Sequence, residues 1–562
     1  MQPPKTKGQT FAFANSARQV PPEARRTSTV NRLTRAEICL FALLWATFAY
    51  FQHREAGWNV NSRLALTYAI VERQTLRIDD YWNTPGYETH DVAVFNGHFY
   101  SDKSIGTSLL GIPAFAVVHA IELVRGAAFS PFTRRHLVTL FSTALLTAAA
   151  GVLFLRLARR YVGGTCGNSS NYPILLTVGT FAGTMLALYA NLFMSYGPAT
   201  FFLLAALLLI ERTRRAEPAL TSRNNETGAG LSASHAAPPN TSPAPPEPEI
   251  SGASELSLPT PHRARTSLSI GYLLGWAILC EYLVGWAAVL LTFYYWRSVR
   301  CSLSHLAWLA LGGVLALAPF FLYTLSIFGR FAIPYEYEME PMFREAMARG
   351  LMGATWPRLD VLLLITFHPY RGLFVQSPHL LLGVVGLACW WRWGARLRAA
   401  TCAAIVVGYL LYNSGYYMWW GGWSFAPRHL AFAVPFLGLA CAPLALWRLG
   451  RAVVLVAASW GILVHTLVNA VEPQFPDRCF GLLSLNQLLS PDLAQVEYPW
   501  IFGRYIWRLF WQGHLEPNLG SLVGLQGPAS LLPLMLFWAA MLAVTLTLAR
   551  GTALTSSQPV KQ

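Results

Sequence analysis

The residues best suited to chemistry lie in one polar stretch near the start of the chain. Its acidic groups include Asp79, Asp80, Asp91 and Asp102, and the last of these is followed at once by Lys103. A carboxylate can take the proton of a hydroxyl group within hydrogen-bond reach, and a lysine stabilises negative charge that develops on a departing phosphate. These residue types could therefore abstract a proton beside a bound anion, with Asp79, Asp80 and Asp91 as candidates for the base and Lys103 as the candidate for the anion contact.

Several residues elsewhere could complete such a site. Arg371 and Arg428 each stand beside an apolar run, at boundaries where an arginine contradicts the local charge bias, and both could bind an anion. Glu281 stands at the tip between two short apolar runs, where a carboxylate is costly unless it is paired or functional. The remaining candidates are Arg63, Tyr100, Asp102 and His368.

Structural roles compete with these assignments. Each aspartate could be a solvated loop residue, since Asp79-Asp80-Tyr81 also suits a turn. Lys103 could be an anchor that reaches toward a membrane interface. The run Trp419-Trp420-Gly421-Gly422-Trp423 is more typical of an aromatic belt at a membrane boundary than of a platform for a sugar.

No motif indicates a cofactor. A divalent cation held by Asp79, Asp80 and Asp91 would suit carboxylate ligands, but the stretch shows no metal-ligand spacing. A second group of acids alternates along a short stretch, which is typical of a solvated loop: Glu336, Glu338 and Glu340.

Composition places the whole chain in a membrane. Of 562 residues, 54% are hydrophobic and only 12% charged, about half the charged share of roughly 25% in soluble proteins. This excludes an ordinary soluble enzyme and a disordered chain. The net charge of +15 does not indicate nucleic-acid binding, because Lys and Arg form short clusters between apolar runs, as they do in cytoplasmic loops.

The apolar runs predict an all-α polytopic membrane protein of about twelve spans. We expect it in the plasma membrane of a bacterium, with both termini in the cytoplasm, because that register places the basic clusters inside. The predicted spans are residues 37–52, 136–157, 173–190, 197–211, 269–280, 283–297, 303–326, 378–393, 399–416, 430–447, 451–469 and 529–549.

One apolar run, residues 105–124, is left out of that set. If it crossed the membrane, the next span would run outward and leave Arg156, Arg159 and Arg160 outside. If it lies along the outer interface, these arginines and every later basic cluster fall in the cytoplasm. We therefore predict a helical first outer loop that lies on the membrane.

This topology divides the chain into modules. The division is a basic cytoplasmic tail, 1–36; an N-terminal membrane module, 37–215, with the first outer loop, 52–135; a disordered cytoplasmic linker, 216–268; a C-terminal membrane module, 269–549, with outer loops 327–377, 417–429 and 470–528; and a tail, 550–562. Outer loops carry the acids, amides, histidines and aromatics, so any chemistry is expected on the outer face.

The first outer loop resembles that of the GT-C glycosyltransferases, which include the bacterial relatives of protein mannosyltransferases and aminoarabinose transferases. Gly97, Tyr100 and Lys103 match the Gly-x-x-Tyr-x-x-Lys spacing of that family, in which an interfacial helix follows. The resemblance implies a GT-C-like bundle, and it implies that the lysine faces the phosphate of a lipid-linked donor.

Later segments extend the resemblance. Glu281-Tyr282 stands where relatives have a polar tip on a short helical hairpin. His368-Pro369-Tyr370-Arg371-Gly372 and the run from Trp419 to Arg428 are similar to a bacterial subgroup of the family. One departure is clear, because many relatives carry an Asp-Glu pair before the arginine of the first loop. Here Val60-Asn61-Ser62 precedes Arg63, so the base must lie elsewhere or be absent.

The resemblance implies transfer of one sugar from a polyprenyl-phosphate donor to a hydroxyl of a glycan, lipid or protein, with inversion at the anomeric carbon. Three alternatives stay open at this point. A lipid-linked glycan ligase or polymerase would centre on a late outer loop such as 470–528. A transporter would show two related halves, and we see none. A non-catalytic relative would explain the missing Asp-Glu pair.

Overall fold

The computed structural model describes residues 33–162, 171–229, 261–299, 302–474, 487 and 496–555. Both predicted tails, the predicted linker and the last predicted outer loop are only partly covered by the described residues. Almost all of the tail 1–36, the middle of the linker (230–260), most of 475–495 in the last outer loop and residues 556–562 of the final tail lie outside the described residues.

The first half of the chain is helical except for one hairpin. Its α-helices are α1 (Arg35–Ala49), α2 (Trp58–Arg73), α3 (Gly106–Arg125), α4 (Pro131–Thr139), α5 (Leu145–Val162), α6 (Tyr172–Ala182), α7 (Met185–Ala190), α8 (Tyr196–Ala229) and α9 (Pro261–Cys280). A π-helical segment, Leu140–Ala144, joins α4 to α5. The strands are β1 (Val92–Phe95) and β2 (His98–Ser101).

The second half is mostly helical in its described part, with irregular segments between the helices. Its α-helices are α10 (Gly285–Val299), α11 (Leu303–Phe328), α12 (Pro341–Met347), α13 (Leu359–Thr366), α14 (Leu373–Gln376), α15 (His379–Arg392), α16 (Arg396–Gly415), α17 (Val434–Ala440), α18 (Arg448–Val471), α19 (Trp507–Trp511), α20 (Leu519–Leu522) and α21 (Leu532–Thr555). Short 3-10 segments are Tyr282–Val284, Pro334–Tyr337, Arg428–Leu430, Ala442–Leu446 and Gly527–Leu531, and Phe502–Ile506 is π-helical.

The all-α class is confirmed, and every predicted span is helical. Two of the predicted spans are broken: 173–190 into α6 and α7, and 430–447 into α17 and a 3-10 segment. Helix α8 continues to Ala229, into the stretch predicted as linker. Long apolar runs fix these helices because a backbone in hydrocarbon must satisfy its own hydrogen bonds.

Six helices within the described residues are long and apolar enough to cross a membrane, as judged from length and composition. They are Gly106–Arg125, Pro131–Val162, Tyr196–Arg214, Leu303–Phe328, Arg448–Val471 and Gly527–Arg550. Five of them coincide with predicted spans. The sixth is α3, the helix assigned to the interface, and its position relative to a membrane stays a prediction.

Helices α9 and α10 are not a self-contained hairpin, although they meet at Glu281 as predicted. Helix α9 packs instead along α11, and small residues make this possible. A Cβ atom added at Gly271 would lie 1.9 Å from the carbonyl oxygen of Leu309. Small residues allow helix backbones to approach closely in this way.

The β-hairpin in the first outer loop was not predicted. Strands β1 and β2 pair antiparallel, with Val92 opposite Ser101, and a two-residue turn joins them. The turn residues, Asn96 and Gly97, have φ angles of 51° and 77°. Asn-Gly is the preferred sequence for such a turn because both central positions need positive φ.

Candidate functional site

A cavity of about 240 Å³ gathers charged side chains from both halves of the chain. Its lining includes the cations Arg63, Lys103 and Arg428 and the acids Asp91, Glu281 and Glu338. The other lining residues are mostly aromatic or methionine. The lining residues lie in segments predicted to face the same side of the membrane, apart from Leu283, Tyr412 and Tyr416, which fall near the ends of predicted spans.

The β-hairpin places the key groups of the first loop. Because Val92 lies opposite Ser101, the residues just beyond this pair, Asp91 and Asp102, leave the hairpin side by side, and Lys103 follows. The Lys103 ammonium lies 2.9 Å from Asp91 Oδ2 and 2.6 Å from Asp102 Oδ2. The lysine therefore joins the two ends of the hairpin.

This cluster is buried. Lys103 is 7% exposed and Asp102 is 0% exposed. Burial alone would lower the pKa of Lys103, but the carboxylates of Asp102 and Asp91 outweigh it and hold the pKa well above its usual range. Burial also raises the pKa of Asp102, although Lys103 opposes that shift. Lys103 thus stays an ammonium ion held between two carboxyl groups.

Glu338 joins the same cluster, so its assignment to a solvated loop was wrong. It pairs with Ala93 in an isolated β-bridge, and Met339 N donates to Val92 O at 2.9 Å. This backbone contact adds the segment to the edge of the hairpin and buries Glu338, which is 2% exposed. Burial, and then the Asp102 carboxylate, raise the pKa of Glu338.

Arg63 and Glu281 form a second buried ion pair. Arg63 Nη2 lies 3.3 Å from Glu281 Oε2, and Ser195 Oγ donates to that same oxygen at 2.6 Å. Arg63 Nη1 also donates to the backbone oxygen of Ser104 at 2.9 Å. The pair explains how a carboxylate is tolerated at the tip between two apolar helices, and it ties α2 to the start of α10.

Arg428 differs from the other two cations of the cavity. Among the described residues its guanidinium makes neither a hydrogen bond nor an ion pair, and its Nε atom is buried without a partner. Two glycines with positive φ, Gly421 at 84° and Gly422 at 63°, pack against it. A Cβ atom at Gly421 would lie 3.1 Å from Arg428 Cγ. A half-buried guanidinium with a buried Nε atom favours an anionic or polar partner, and a ligand in the cavity could supply it.

Two of the three tryptophans in the run are buried, and Trp423 is exposed. Trp419 and Trp420 are buried at 3% and 4% exposure, and Trp420 and Trp423 line the cavity. Trp58 stacks on His90 with ring centroids 4.6 Å apart, and Trp423 lies 6.2 Å from Trp58. This aromatic wall is compatible with the sugar platform considered from the sequence.

Asp79 and Asp80, two of the three predicted bases, do not line the cavity. Asp79 accepts a hydrogen bond from Phe99 N at 2.7 Å and pairs with His98 at 2.8 Å. Asp80 pairs with Arg73 at 3.1 Å, and its side chain is 59% exposed. Both carboxylates are therefore engaged on the outer surface of the loop, and only Asp91 of the three predicted bases reaches the cavity.

Four other candidates also lie outside the cavity lining, and one of them, Asp102, contacts it through Lys103. Tyr100 is buried in a small apolar cluster with Phe328. His368 accepts a hydrogen bond from the backbone N of Tyr370 at 3.1 Å. Arg371 is fully buried, with its guanidinium 4.8 Å from the ring centre of Tyr370.

Metal-ligating side chains come together elsewhere in the described part of the chain. Glu72, His119 and Glu122 have ligand atoms within 4.8 Å of one another. Arg134 already occupies this cluster, however, with Nη2 3.0 Å from Glu72 and Nε 2.7 Å from Glu122. It is an ion-pair network between α2, α3 and α4. Asp79, Asp80 and Asp91 form no such group in the described structure.

An apolar groove begins next to the charged cluster. Its volume is about 320 Å³, and its walls come from α2, α3 and α11, with Leu66, Ile70, Leu109 and Leu322 among the lining residues. It starts at Ile105, two residues after Lys103. Tyr323, on its far wall, donates to Ser101 O at 3.1 Å.

Sequence reasoning missed Glu338 and Ser62. Ser62 donates to Asp102 Oδ1 at 3.4 Å. It thus contacts an acid from the position, just before Arg63, at which many GT-C glycosyltransferases have an acid of their own. Glu336, Glu338 and Glu340 are spaced two residues apart, and in an extended segment all three would point to the same face, so this pattern gave no signal that distinguished Glu338. Glu338 alone of the three is buried.

No family model and no curated protein matches this chain. Solved structures give partial likenesses. ArnT from Cupriavidus metallidurans bound to undecaprenyl phosphate is 14% identical, with 92% of this chain and 74% of that chain covered and a TM-score of 0.42. Archaeal oligosaccharyltransferase AglB from Archaeoglobus fulgidus, in complex with an inhibitory peptide and a dolichol-phosphate, is 9% identical, with coverage of 83% and 60% and a TM-score of 0.42. The chemistry of the site therefore has to follow from its own side chains.

Proposed function

We propose that the chain is an integral-membrane glycosyltransferase of the GT-C type. It moves a sugar from a polyprenyl-phosphate donor to a hydroxyl acceptor on the outer face of a bacterial plasma membrane. The observation that carries the proposal is the cavity in which Arg428, without an acidic partner among the described residues, faces the Lys103–Asp91 pair. An anion can bind there beside a carboxylate that can accept a proton.

The groove supports a lipid-linked donor. A prenyl chain needs an apolar channel near the cation that binds its phosphate, and Ile105, which lines the groove, follows Lys103 by two residues in the sequence. In this proposal the prenyl tail of the donor lies in the groove, and the donor phosphate lies between Lys103 and Arg428. Charge that develops on the phosphate as the sugar leaves is stabilised by these cations.

Asp91 is proposed as the base. It is the one sequence-predicted base that lines the cavity, and its side chain is 16% exposed. The acceptor hydroxyl loses its proton to Asp91 as its oxygen attacks the anomeric carbon, and the bond from that carbon to the phosphate oxygen breaks. Asp91 would take the place of the Asp-Glu pair that is absent before Arg63. This substitution favours an enzyme over a non-catalytic relative.

Binding of undecaprenyl phosphate to the purified protein in nanodiscs tests the proposal. We expect Arg428→Ala to weaken binding about 10- to 100-fold, because a hydrogen-bonded charge pair contributes about 1.5–3 kcal/mol. The matched control is Arg330→Ala, an exposed arginine that pairs with Glu336 outside the cavity. Equal affinity for the wild type and Arg428→Ala would refute the assignment of the phosphate site.

A transfer assay completes the test. Undecaprenyl-phosphate monosaccharides are supplied to the same nanodiscs, and released undecaprenyl phosphate is measured with and without acceptor glycans, lipids and peptides. Release that depends on one acceptor class identifies the reaction. Binding of the lipid without release from any donor tested would argue against an enzyme.

A further inference from the structure

The cluster around Lys103 holds more acidic groups than one cation can neutralise. Three carboxyl groups, those of Asp91, Asp102 and Glu338, surround the ammonium, and Asp102 and Glu338 are almost fully buried. If all three were ionised, the cluster would carry two uncompensated negative charges. Burial of unpaired charge is costly, and two carboxylates that share one site cannot both ionise readily.

The hydrogen bonds indicate which group holds the missing proton. Asp102 is already served by donors, with Lys103 Nζ at 2.6 Å and Ser62 Oγ at 3.4 Å. Glu338 has no comparable donors to stabilise a negative charge, because its buried Oε1 has no hydrogen-bond partner among the described residues. Its side chain nevertheless makes a hydrogen-bonding contact with Asp102. Two carboxyl groups make such a contact only through a proton, and Glu338 is the one that can supply it.

We propose that Glu338 is a positioning residue, a neutral carboxylic acid whose proton bridges to Asp102, and that it leaves Asp91 as the ionised carboxylate of this cluster that faces the cavity. The role of Asp91 as a base rests on the proposed function, whereas the position of the proton does not. The bridge also holds the segment after α11 on the hairpin, beside its backbone contact to Val92.

The bridge makes the stability of the folded protein depend on pH in the alkaline range, because it needs the proton on Glu338. The charged and titratable groups around Glu338 are Asp91, Asp102, Lys103 and Tyr335. Burial and the Asp102 carboxylate raise the pKa of Glu338 above its ordinary value, so the folded protein keeps a proton that the unfolded chain would release. The contribution of Glu338 to stability is therefore complete below its ordinary pKa and is lost as the pH rises through the raised pKa.

Infrared difference spectroscopy on the whole protein in nanodiscs locates the proton directly. At neutral pH we expect carbonyl absorption from protonated, buried carboxyl groups in the wild type, with a contribution from Glu472, because burial raises the pKa of Glu472 to about 8. The contribution of one carboxyl group should be lost in Glu338→Gln. Glu340→Gln is the matched control, since Glu340 lies on the same segment but is only half-buried and pairs with His90 at 3.2 Å. Carbonyl absorption that is unchanged in Glu338→Gln overturns the proposal.

A second variant keeps the test decisive if Glu338→Gln does not fold. In Asp102→Asn the bridging partner is a weaker, uncharged acceptor, so the carbonyl band of Glu338 should shift in frequency while burial keeps Glu338 protonated. If the band is unchanged in Asp102→Asn, the proton is not shared with Asp102.

The pH profile of transfer separates positioning from a direct catalytic role. Glutamine mimics the neutral acid, so Glu338→Gln should keep neutral-pH turnover within about threefold, far less than the 10²–10⁴-fold effect of a general base, and lose the alkaline decline of the wild type. Loss of turnover in Glu338→Gln with undecaprenyl phosphate binding intact would show that Glu338 must ionise and would overturn the proposal. If the wild type transfers no sugar, the proposed function fails, and the infrared result still decides where the proton is.

Discussion

Two buried clusters of charge in this protein are built from the same kinds of side chain but differ in how completely they are paired. Around Glu211, one carboxylate oxygen is contacted by Arg214 at 3.1 Å and by Arg398 at 3.4 Å. Tyr161 donates to that oxygen at 3.1 Å, and Tyr294 donates to it as well. Glu211 is 3% exposed. This cluster fastens α8 to α5, α10 and α16.

The cavity cluster has a different balance. Lys103 and Arg63 are paired with acids, but Arg428 has no acidic partner among the described residues and faces open volume. A closed cluster contributes its interactions to the folded state. A cluster with an unpaired charged group can form a further favourable interaction when a ligand binds. The contrast teaches that the number of unpaired groups, more than residue type, distinguishes a binding site from a structural network.

The largest effect that separates the two clusters is expected from Asp91→Asn. Loss of the base should lower transfer by about 10²–10⁴-fold, while undecaprenyl phosphate still binds, because the phosphate contacts are retained. Steady-state transfer and lipid binding are measured side by side. Asp80→Asn is the control, because Asp80 is exposed and outside the cavity. If Asp80→Asn were as inactive as Asp91→Asn, the distinction between the two aspartates would be wrong.

Glu211→Ala should have the opposite profile. Removal of the acid leaves Arg214 and Arg398 without their shared partner, and a broken buried ion pair costs about 3–5 kcal/mol. Thermal unfolding in nanodiscs should show this loss, while undecaprenyl phosphate binding of the folded fraction stays unchanged. A weaker affinity without lower stability would mean that the Glu211 cluster is coupled to the cavity.

The smallest effect concerns the glycines behind Arg428. Gly421 has φ of 84°, and a residue with a side chain in the left-handed region costs roughly 1–2 kcal/mol. Gly421→Ala should therefore lower the unfolding temperature slightly and weaken lipid binding by displacing Arg428. Gly285→Ala, at a position where an added Cβ meets nothing within 4 Å, is the control for both measurements. Tighter lipid binding in Gly421→Ala would contradict the supporting role of the glycine.

The helices could be read from the sequence, whereas the site could be read only in part. Apolar runs specify spans because each must satisfy its hydrogen bonds locally, and the predicted spans are all helical. The cavity depends on contacts between distant segments. Asp91, Lys103, Arg63, Glu281 and Arg428 were all selected from sequence and do line it, because a charge next to an apolar run requires a reason.

The errors have physical causes too. Asp79 and Asp80 were grouped with Asp91 by proximity in sequence, but their surface partners, His98 and Arg73, hold them on the outside of the loop. The burial of Glu338 follows from docking of one loop on the edge of a hairpin, which no local pattern encodes. The hairpin itself was within reach, since Asn96-Gly97 between two β-prone segments is a strong turn signal.

That two-residue turn also sets the spacing of the acids by backbone geometry. In an antiparallel pair, a shift of register by one residue moves every side chain to the opposite face. One residue inserted between Asn96 and Gly97 would change which residue stands across from Asp91 and would draw Lys103 away from it. The length of the turn thus fixes the positions of Asp91, Asp102 and Lys103 relative to one another. An insertion about five residues from either carboxylate would separate these charged groups without altering any of them.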